Sequence, residues 1–377
     1  MSKGTGLLRE QNKRKVLSLI RQLGKTSRQD LAKQMNVSKN TISLIVDEFI
    51  NNQILKETGF KEPGSKGRPK VIIEINKKGY KSLGFAISKK GIEYSVVNYY
   101  GELVERETLS YIGKDPDYIK MKLDSMIKTL LEKYDNVLGI GIGIPGIVDS
   151  HKSIVYNSTH MGWKNVSFQD FENHNVPVFV QNSVNMSAIS AIEKEGNRDG
   201  GSSFYVRVGE GVGGTFIIDN KIMNGGSWTA GEIGHISINP NGELCACGQR
   251  GCLELLISNN AFKRRLGELG YSYPIEEKVL SNQDDTSLEI NRVVKNYGIN
   301  LGKALVQVIH LVNPNQIMID TPYNNYNDFT NGCLQYINEN ALEIPYQKTK
   351  IIFGNERYSM SIGAALSPII NFERFIF

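Results

Sequence analysis

Three of the four cysteines in this sequence lie within eight residues of one another. Cys245, Cys247 and Cys252 stand in the run Cys-Ala-Cys-Gly-Gln-Arg-Gly-Cys, and His235 precedes the first of them by ten positions. Thiolates and imidazole are the ligands that zinc prefers, and four protein ligands close a tetrahedral structural site. Because thiols stay reduced in the cytosol, the cluster predicts metal binding before disulfides. We therefore expect one structural zinc ion per subunit, held by these four residues.

The open alternative for this cluster is a chance grouping of small, buried cysteines. Gly248 and Gly251 argue against it, because glycines allow a short loop to wrap around a metal. The fourth cysteine of the chain, Cys333, stands alone in a helical pattern and is predicted to be an ordinary core thiol.

Charge is unevenly distributed along the 377 residues. Residues 1–90 contain 20 Lys and Arg against 7 Asp and Glu, whereas the rest of the chain contains 24 against 32. Such a local excess favours nucleic acid as a partner over a solvated surface. No apolar run approaches the ~18 residues that a membrane span needs, so we expect a cytoplasmic protein with no membrane partner.

The basic segment has the pattern of a winged helix-turn-helix. Apolar residues at helical spacing predict a first helix over 16–23. Ser27 and Ser38 are the expected N-caps of a second and a third helix. Two strands, at 54–58 and 71–75, complete the pattern.

The start of the third helix is the expected DNA-reading element. In a helix-turn-helix this part contacts base edges in the major groove, while the preceding helix crosses the phosphate backbone. The predicted base contacts are Lys39, Asn40, Thr41 and Ser43, and the predicted phosphate contacts are Arg28 and Gln29. Arg68, in the basic loop 61–70, is predicted to enter a narrow minor groove. A flexible linker with incidental charge is an equally open interpretation of this loop.

From about residue 77 the pattern changes to alternating strands and helices, which is typical of an α/β architecture. The expected strands are 83–87, 91–98, 102–108, 137–144, 178–180, 203–208, 214–218 and 316–319, and the expected helices are 118–133, 290–311 and 331–343. A glycine-rich stretch, 209–214, follows one of these strands. No helix opens behind it, so it is a weak candidate for phosphate binding and a better one for a tight hairpin.

Two motifs give the chain a family resemblance. The run Gly-Glu-Ile-Gly-His ending at His235, together with Cys-x-Cys-Gly-x-x-Gly-Cys-x-Glu ending at Glu254, resembles the ROK family of repressors, open reading frames and sugar kinases. The glycine-rich runs 141–149 and 209–214 follow in the order expected for that family. With a helix-turn-helix in front, the chain is most similar to the regulator branch, which includes the repressors of xylose and N-acetylglucosamine genes.

The resemblance implies a fold and a set of sites. A winged helix-turn-helix over 1–76 should precede a two-lobed, actin-like domain of the sugar-kinase and RNase H-like type. The small lobe is expected over 77–182, with the C-terminal helix at about 358–377 packing back on it. The large lobe, over 183–357, should carry the zinc and an oligomerisation surface. By the same resemblance the sugar lies in the cleft and is bound by Asn182, Glu232, His235 and Glu254.

Two departures from the family's kinases bear on catalysis. Where the kinases have Asp-x-Gly-x-Thr for nucleotide phosphates, residues 86–90 read Ala-Ile-Ser-Lys-Lys. Where the kinases have an Asp that acts as general base, this chain has Ser183. A neutral serine cannot take the proton from a sugar hydroxyl, and losing a general base costs about 10²- to 10⁴-fold in rate. We therefore expect no ATP binding, no catalytic residues and no kinase activity.

The favoured function is a sugar-responsive repressor that binds double-stranded operator DNA and releases it when a monosaccharide such as xylose binds. Because one recognition helix reads too few bases, a homodimer or homotetramer is expected. The main alternative is a ROK sugar kinase with an appended DNA-binding domain. A third interpretation, glycoside hydrolysis by Glu232 and Glu254, leaves the zinc cluster without a task.

Overall fold

The computed structural model describes residues 3–61, 70–113, 115–195, 201–219, 221–271, 288–354 and 358–374. The described chain forms two compact units. Unit 1 comprises Met1–Met186 and Met360–Phe377, and unit 2 comprises Ser187–Ser359. Among the described residues, no helix combines the length and the apolar character that crossing a membrane requires.

Unit 1 begins with three helices and a small sheet, here called the head. The helices are α1 (Lys3–Leu23), α2 (Arg28–Met35) and α3 (Lys39–Asn51), and the strands are β1 (Lys25–Ser27), β2 (Leu55–Lys61) and β3 (Lys70–Ile75). The three strands pair antiparallel in the order β1-β3-β2. The expected caps are present, because Ser27 Oγ accepts from the Asp30 N–H at 3.2 Å and Ser38 Oγ from the Thr41 N–H at 3.1 Å. The order of these elements is the one that the sequence predicted for a winged helix-turn-helix, whereas residues 62–69 of the predicted wing lie outside the described range. Helix α1 starts earlier than the apolar pattern predicts.

The rest of unit 1 is built on a five-stranded sheet in the order β11-β7-β4-β5-β6. Its strands are β4 (Lys81–Ser88), β5 (Gly91–Asn98), β6 (Leu103–Ser110), β7 (Val137–Ile144) and β11 (Val178–Asn182). A second small sheet, which the sequence did not predict, contains β8 (Ile147–Asp149), β9 (Ile154–Ser158) and β10 (Trp163–Ser167). We call this part of unit 1 the lobe.

Two helices pack on the main sheet of the lobe. Residues of α4 (Pro116–Lys133) share a core with alternate residues of β4, such as Leu83 and Phe85. The C-terminal helix, which we number α11 (Met360–Arg374), packs on β4 and β7 at their intervening positions, Gly84 and Gly141. Because successive strand residues point to opposite faces, the two helices cover opposite sides of the sheet.

Unit 2 contains a second five-stranded sheet, in the order β14-β13-β12-β15-β16. Its strands are β12 (Ser202–Val208), β13 (Val212–Ile218), β14 (Lys221–Ile222), β15 (Gln316–Asp320) and β16 (Lys350–Phe353). The helices are α5 (Ser183–Glu195), whose first turn belongs to unit 1, and α6 (Leu253–Ile257), α7 (Asn259–Glu268), α8 (Leu288–Val312), α9 (Asn327–Asn340) and α10 (Glu343–Lys348). The predicted α/β fold class is confirmed. Cys333 is fully buried in the core of unit 2, as expected.

Candidate metal and sugar site

Three short segments of unit 2 bring the histidine and the three cysteines together. His235 ends a single 3-10 turn (Ile233–His235), Cys245 and Cys247 lie in a turn closed by a 2.9 Å bond from the Gly248 N–H to the Cys245 carbonyl, and Cys252 directly precedes α6. The four ligand atoms all lie within 4.8 Å of one another. The structure thus assembles the complete predicted ligand set, and these residues can hold one metal ion.

Two distances within this cluster are close to the edge lengths of a zinc tetrahedron. Cys247 Sγ and Cys252 Sγ are 3.5 Å apart, and Cys245 Sγ is 3.7 Å from His235 Nδ1. Zinc–ligand distances of about 2.3 Å for sulfur and 2.0–2.1 Å for nitrogen give tetrahedral edges of roughly 3.6–3.8 Å. A disulfide would need about 2.05 Å between the sulfurs, and all four cysteines are free.

The chemistry of the thiols also fits a cation. A hydrogen bond from the Gln249 N–H lowers the pKa of the Cys247 thiol to about 7, which favours the thiolate that binds metal. Burial has the opposite effect on Cys252 and raises its pKa. A bound divalent cation would deprotonate this thiol as well.

Gly251 shapes the loop that carries Cys252. Its φ is +64°, and a Cβ at this position would lie 1.7 Å from the Asn239 carbonyl oxygen. The N–H groups of Ile238 and Asn239 both donate to the Gly251 carbonyl, at 2.8 and 3.3 Å. Only glycine allows this close approach, which holds Cys252 beside the segment that contains His235.

The second nitrogen of His235 faces a carboxylate. Nε2 lies 4.0 Å from Glu232 Oε2, while Nδ1 faces the cysteines. About half of the Glu232 side chain (48%) remains accessible, yet partial desolvation, together with the charge of Glu254, raises the pKa of Glu232. Glu254, in the first turn of α6, accepts a 2.9 Å hydrogen bond from the Val212 N–H. Two carboxylates and an imidazole N–H thus offer acceptors and a donor beside the metal cluster.

Asn182, the fourth predicted sugar residue, belongs to unit 1. Its side-chain N–H donates to the Gly146 carbonyl at 2.6 Å, and its Oδ1 accepts from the Val184 N–H at 2.7 Å. It therefore caps the start of α5.

The glycine-rich stretch 209–214 forms a hairpin turn. Val208 of β12 pairs with Val212 of β13, and the Gly209 N–H donates to the Gly211 carbonyl at 2.8 Å. The local structure is therefore the tight hairpin favoured by the sequence. No helix follows it to supply a phosphate-binding N-terminus.

The predicted DNA-reading residues lie along the start of α3. Lys39 and Asn40 are exposed, whereas Thr41 and Ser43 are partly buried, and the Thr41 hydroxyl lies 2.8 Å from that of Ser38. Sequence reasoning missed Leu44, which is 65% exposed on the same helix and outside its buried stripe. Its signal was an apolar residue out of phase with that stripe, and such a side chain can contact a thymine methyl group.

The predicted phosphate contacts differ in their surroundings. Gln29 is exposed at the start of α2. Arg28 donates to Asp47 Oδ1 at 2.6 Å and to Glu57 Oε1 at 3.0 Å, so its charge is balanced by two carboxylates. Arg68 lies outside the residues that the structure describes.

Comparison with known proteins identifies the family to which this site belongs. The profile of the ROK family matches residues 83–361, about three quarters of the chain. The chain belongs to the ROK family. A xylose repressor of Caldicellulosiruptor bescii is 27% identical over 370 residues, which is 92% of each chain. The DNA-binding transcriptional repressor Mlc of Escherichia coli K12 is 26% identical over 331 residues, covering 84% of this chain and 82% of Mlc.

Solved structures of ROK proteins show the same fold. A ROK family transcriptional regulator described as a homolog of E. coli Mlc matches 97% of both chains with a TM-score of 0.82 and 25% identity. A ROK glucokinase from Streptomyces griseus, in complex with glucose and AMPPNP, matches 76% of this chain with a TM-score of 0.62 and 20% identity. The predicted family, fold and regulator function are therefore confirmed.

Proposed function

We propose that this ROK regulator represses carbohydrate-utilisation genes by binding operator DNA through its head, and that a monosaccharide such as xylose releases it. The sugar would be bound by Glu232, His235 and Glu254. The main support is the geometry of His235, because Nδ1 lies 3.7 Å from Cys245 Sγ and Nε2 lies 4.0 Å from Glu232 Oε2. Asn182 stays a predicted sugar contact that rests on the family resemblance.

The metal in this proposal is a structural zinc ion. Four protein ligands would leave no open position for a substrate, so the ion would fold the loop and orient the imidazole. With Nδ1 on the metal, the tautomer of His235 is fixed and Nε2 carries the proton. His235 would then donate a hydrogen bond to a sugar hydroxyl.

Glu232 and Glu254 supply the complementary acceptors. Carboxylates form charge-assisted hydrogen bonds with hydroxyl groups, and adjacent hydroxyls of a monosaccharide can satisfy more than one of them. A site with several fixed polar groups rejects a ligand that lacks one hydroxyl, because a buried group then loses its partner. This chemistry favours an unmodified monosaccharide over an apolar ligand.

The head is the proposed DNA-binding element, and base reading would come from Lys39, Asn40, Thr41 and Ser43 at the start of α3. Leu44 would add an apolar contact to a base edge. Gln29 would contact phosphates, and Arg68 would enter a narrow minor groove. Arg28 would do so only by exchanging its carboxylate partners for a phosphate, and we assign it the weaker role. A homodimer or homotetramer would place two heads on two half-sites.

We assign no kinase activity to the chain. Ser183 and the sequence at 86–90 lack the groups that take the sugar proton and bind phosphates. Sugar-dependent ATP consumption would revive the alternative of a kinase with an added DNA-binding domain.

A thermal-shift panel of monosaccharides and their phosphates tests the proposal. A ligand that binds only the folded protein raises stability by about 2.7 kcal/mol at a hundredfold excess over Kd. We expect one or a few unmodified sugars to raise the melting temperature of the wild type but not of Glu232→Gln. Glu268→Gln is the matched control, because Glu268 lies in an exposed ion pair of α7. A shift that Glu232→Gln retains in full would place the sugar elsewhere.

A further inference from the structure

The last turn of α11 forms an ion pair with the first helix of the head. Arg21 Nε donates to Glu373 Oε1 and Arg21 Nη2 donates to Glu373 Oε2, both at 3.0 Å. The two side chains are only 13% and 11% exposed. Two parallel bonds between a guanidinium and a carboxylate fix direction as well as distance. The pair joins residues that are 352 positions apart in the sequence.

A buried tyrosine of the lobe contacts the same carboxylate. The Tyr99 hydroxyl, which follows β5, donates to Glu373 Oε1 at 3.0 Å, and Tyr99 is 1% exposed. Burial and the charge of Glu373 raise the pKa of Tyr99 well above its usual value, so the phenol keeps its proton. Glu373 therefore connects α1 of the head to the central sheet of the lobe.

Aromatic packing surrounds this polar contact. Phe372 lies edge-on to Tyr99 with ring centroids 6.4 Å apart, and the Arg14 guanidinium lies 5.5 Å from the centroid of Phe372. Nearby, the Tyr100 hydroxyl donates to the carbonyl of Gly24, at the end of α1, at 2.9 Å. The head is thus attached to the lobe by directional bonds with little access to water. We call Arg21, Tyr99, Phe372 and Glu373 the latch.

The lobe fixes the position of α11 itself. A Cβ at Gly84 would lie 2.1 Å from the Ala365 nitrogen, and one at Gly141 would lie 2.0 Å from the Ala364 oxygen. The helix backbone therefore rests directly on β4 and β7. Such close packing transmits displacement instead of absorbing it. In the chain, α11 follows unit 2, which ends at Ser359 and contains Glu232, His235 and Glu254.

We propose that the latch fixes the orientation of the head on the lobe, and that the sugar response of operator binding depends on it. Arg21 and Glu373 are positioning residues in this scheme and contact neither sugar nor DNA. The inference rests on the proposed function. It predicts variants that still bind the sugar and still bind DNA, but in which the sugar no longer changes the affinity for DNA. Such coupling requires a structural element with two arrangements, each favoured by one of the ligands.

The test compares Glu373→Gln with Glu268→Gln in the full-length, zinc-loaded protein. Both changes remove one negative charge and one ion pair, but Arg265 and Glu268 are 53% and 51% exposed and lie in α7, far from the head in sequence. Amide hydrogen exchange of α1 reports attachment of the head. Fluorescence anisotropy with an operator duplex selected by the protein from random sequences, with and without D-xylose, reports coupling. A double variant, Arg21→Gln with Glu373→Gln, tests whether the effects belong to the pair.

We expect Glu373→Gln to exchange the α1 amides about 10- to 100-fold faster than Glu268→Gln, as loss of a charge-assisted bond predicts. The ratio of operator Kd with and without D-xylose should fall toward 1, while the D-xylose affinity stays unchanged. The double variant should show the same α1 exchange rates and the same Kd ratio as Glu373→Gln alone.

Several results would overturn the inference. Equal exchange in the two single variants would show that the pair does not hold the head. Faster α1 exchange in Glu373→Gln with an unchanged Kd ratio would show that the latch attaches the head but has no role in the sugar response. A wild type that responds to no monosaccharide would refute the proposed function, and the exchange data would still show whether the latch attaches the head.

Discussion

Replacing Gly251 by alanine tests how far the metal site depends on backbone geometry when every ligand is retained. The φ of +64° costs an alanine about 1–2 kcal/mol. Because the new Cβ would lie 1.7 Å from the Asn239 oxygen, the loop must move. The bonds from the Ile238 N–H to Gly251 and from the Gly251 N–H to Glu243, both 2.8 Å, would weaken. At about 1 kcal/mol for each bond, the total cost is about 3–4 kcal/mol.

Gly248→Ala is the matched control for this prediction. Gly248 also has a positive φ, +94°, but nothing lies within 4 Å of a Cβ there. In the control, alanine adopts a similarly unfavourable positive φ, but its Cβ does not force the loop to move. The remaining difference of about 2 kcal/mol corresponds to about 30-fold in affinity. Because the loop reaches its native form around the metal, this difference should appear as weaker zinc binding.

A competition titration with a chromogenic zinc chelator measures this difference directly. We expect Gly251→Ala to bind zinc about 30-fold more weakly than Gly248→Ala, and to lose the sugar-induced thermal shift at limiting zinc. If the two variants bind zinc within about threefold of each other, the close approach at Gly251 does not organise the site.

Three further predictions follow from single side chains. Glu254→Gln should weaken sugar binding about 10- to 100-fold in calorimetry, since a charge-assisted hydrogen bond is worth about 1.5–3 kcal/mol, whereas Glu268→Gln should not. Asn40→Ala should cost about 1–3 kcal/mol of operator affinity and relax the preference at one base pair, and a uniform loss on all sequences would contradict base reading. Asp149 is buried, which alone would raise its pKa, but bonds from the Lys152 N–H, the Tyr156 hydroxyl and the His151 N–H outweigh burial and lower it. The ionised Asp149 carboxylate therefore stabilises the fold above the ordinary carboxyl pKa, and this stabilisation is lost as the pH falls through the lowered pKa of the folded protein. In urea unfolding, Asp149→Asn should lower the free energy of unfolding at pH 7 and much less at pH 2. Equal losses at the two pH values would refute this assignment.

Local sequence signals were sufficient for much of the fold. Ser27 and Ser38 cap their helices as expected, because an N-cap depends on residues three positions apart. The cysteine spacing and His235 likewise predicted the ligand cluster, since a loop of eight residues limits where its thiols can lie. The family resemblance added the position of Glu232 beside His235.

The contacts that the sequence did not reveal join distant segments. Nothing near Arg21 indicates that its partner is Glu373, and nothing near Arg28 indicates Asp47 and Glu57. An ion pair of this kind depends on tertiary packing, and charge patterns along one helix do not encode it. The small sheet β8-β9-β10 was missed for a different reason, because its three- and five-residue strands are too short for a clear alternating pattern.

The most direct test of the account is operator binding by the same zinc-loaded protein with and without sugar. Fluorescence anisotropy on an operator duplex should give a Kd that rises about 5- to 150-fold when D-xylose, or another sugar found by thermal shift, saturates the protein. Glu232→Gln should keep the sugar-free Kd and lose the rise. An operator Kd that is the same with and without every sugar that binds would contradict the claim that this site controls DNA binding.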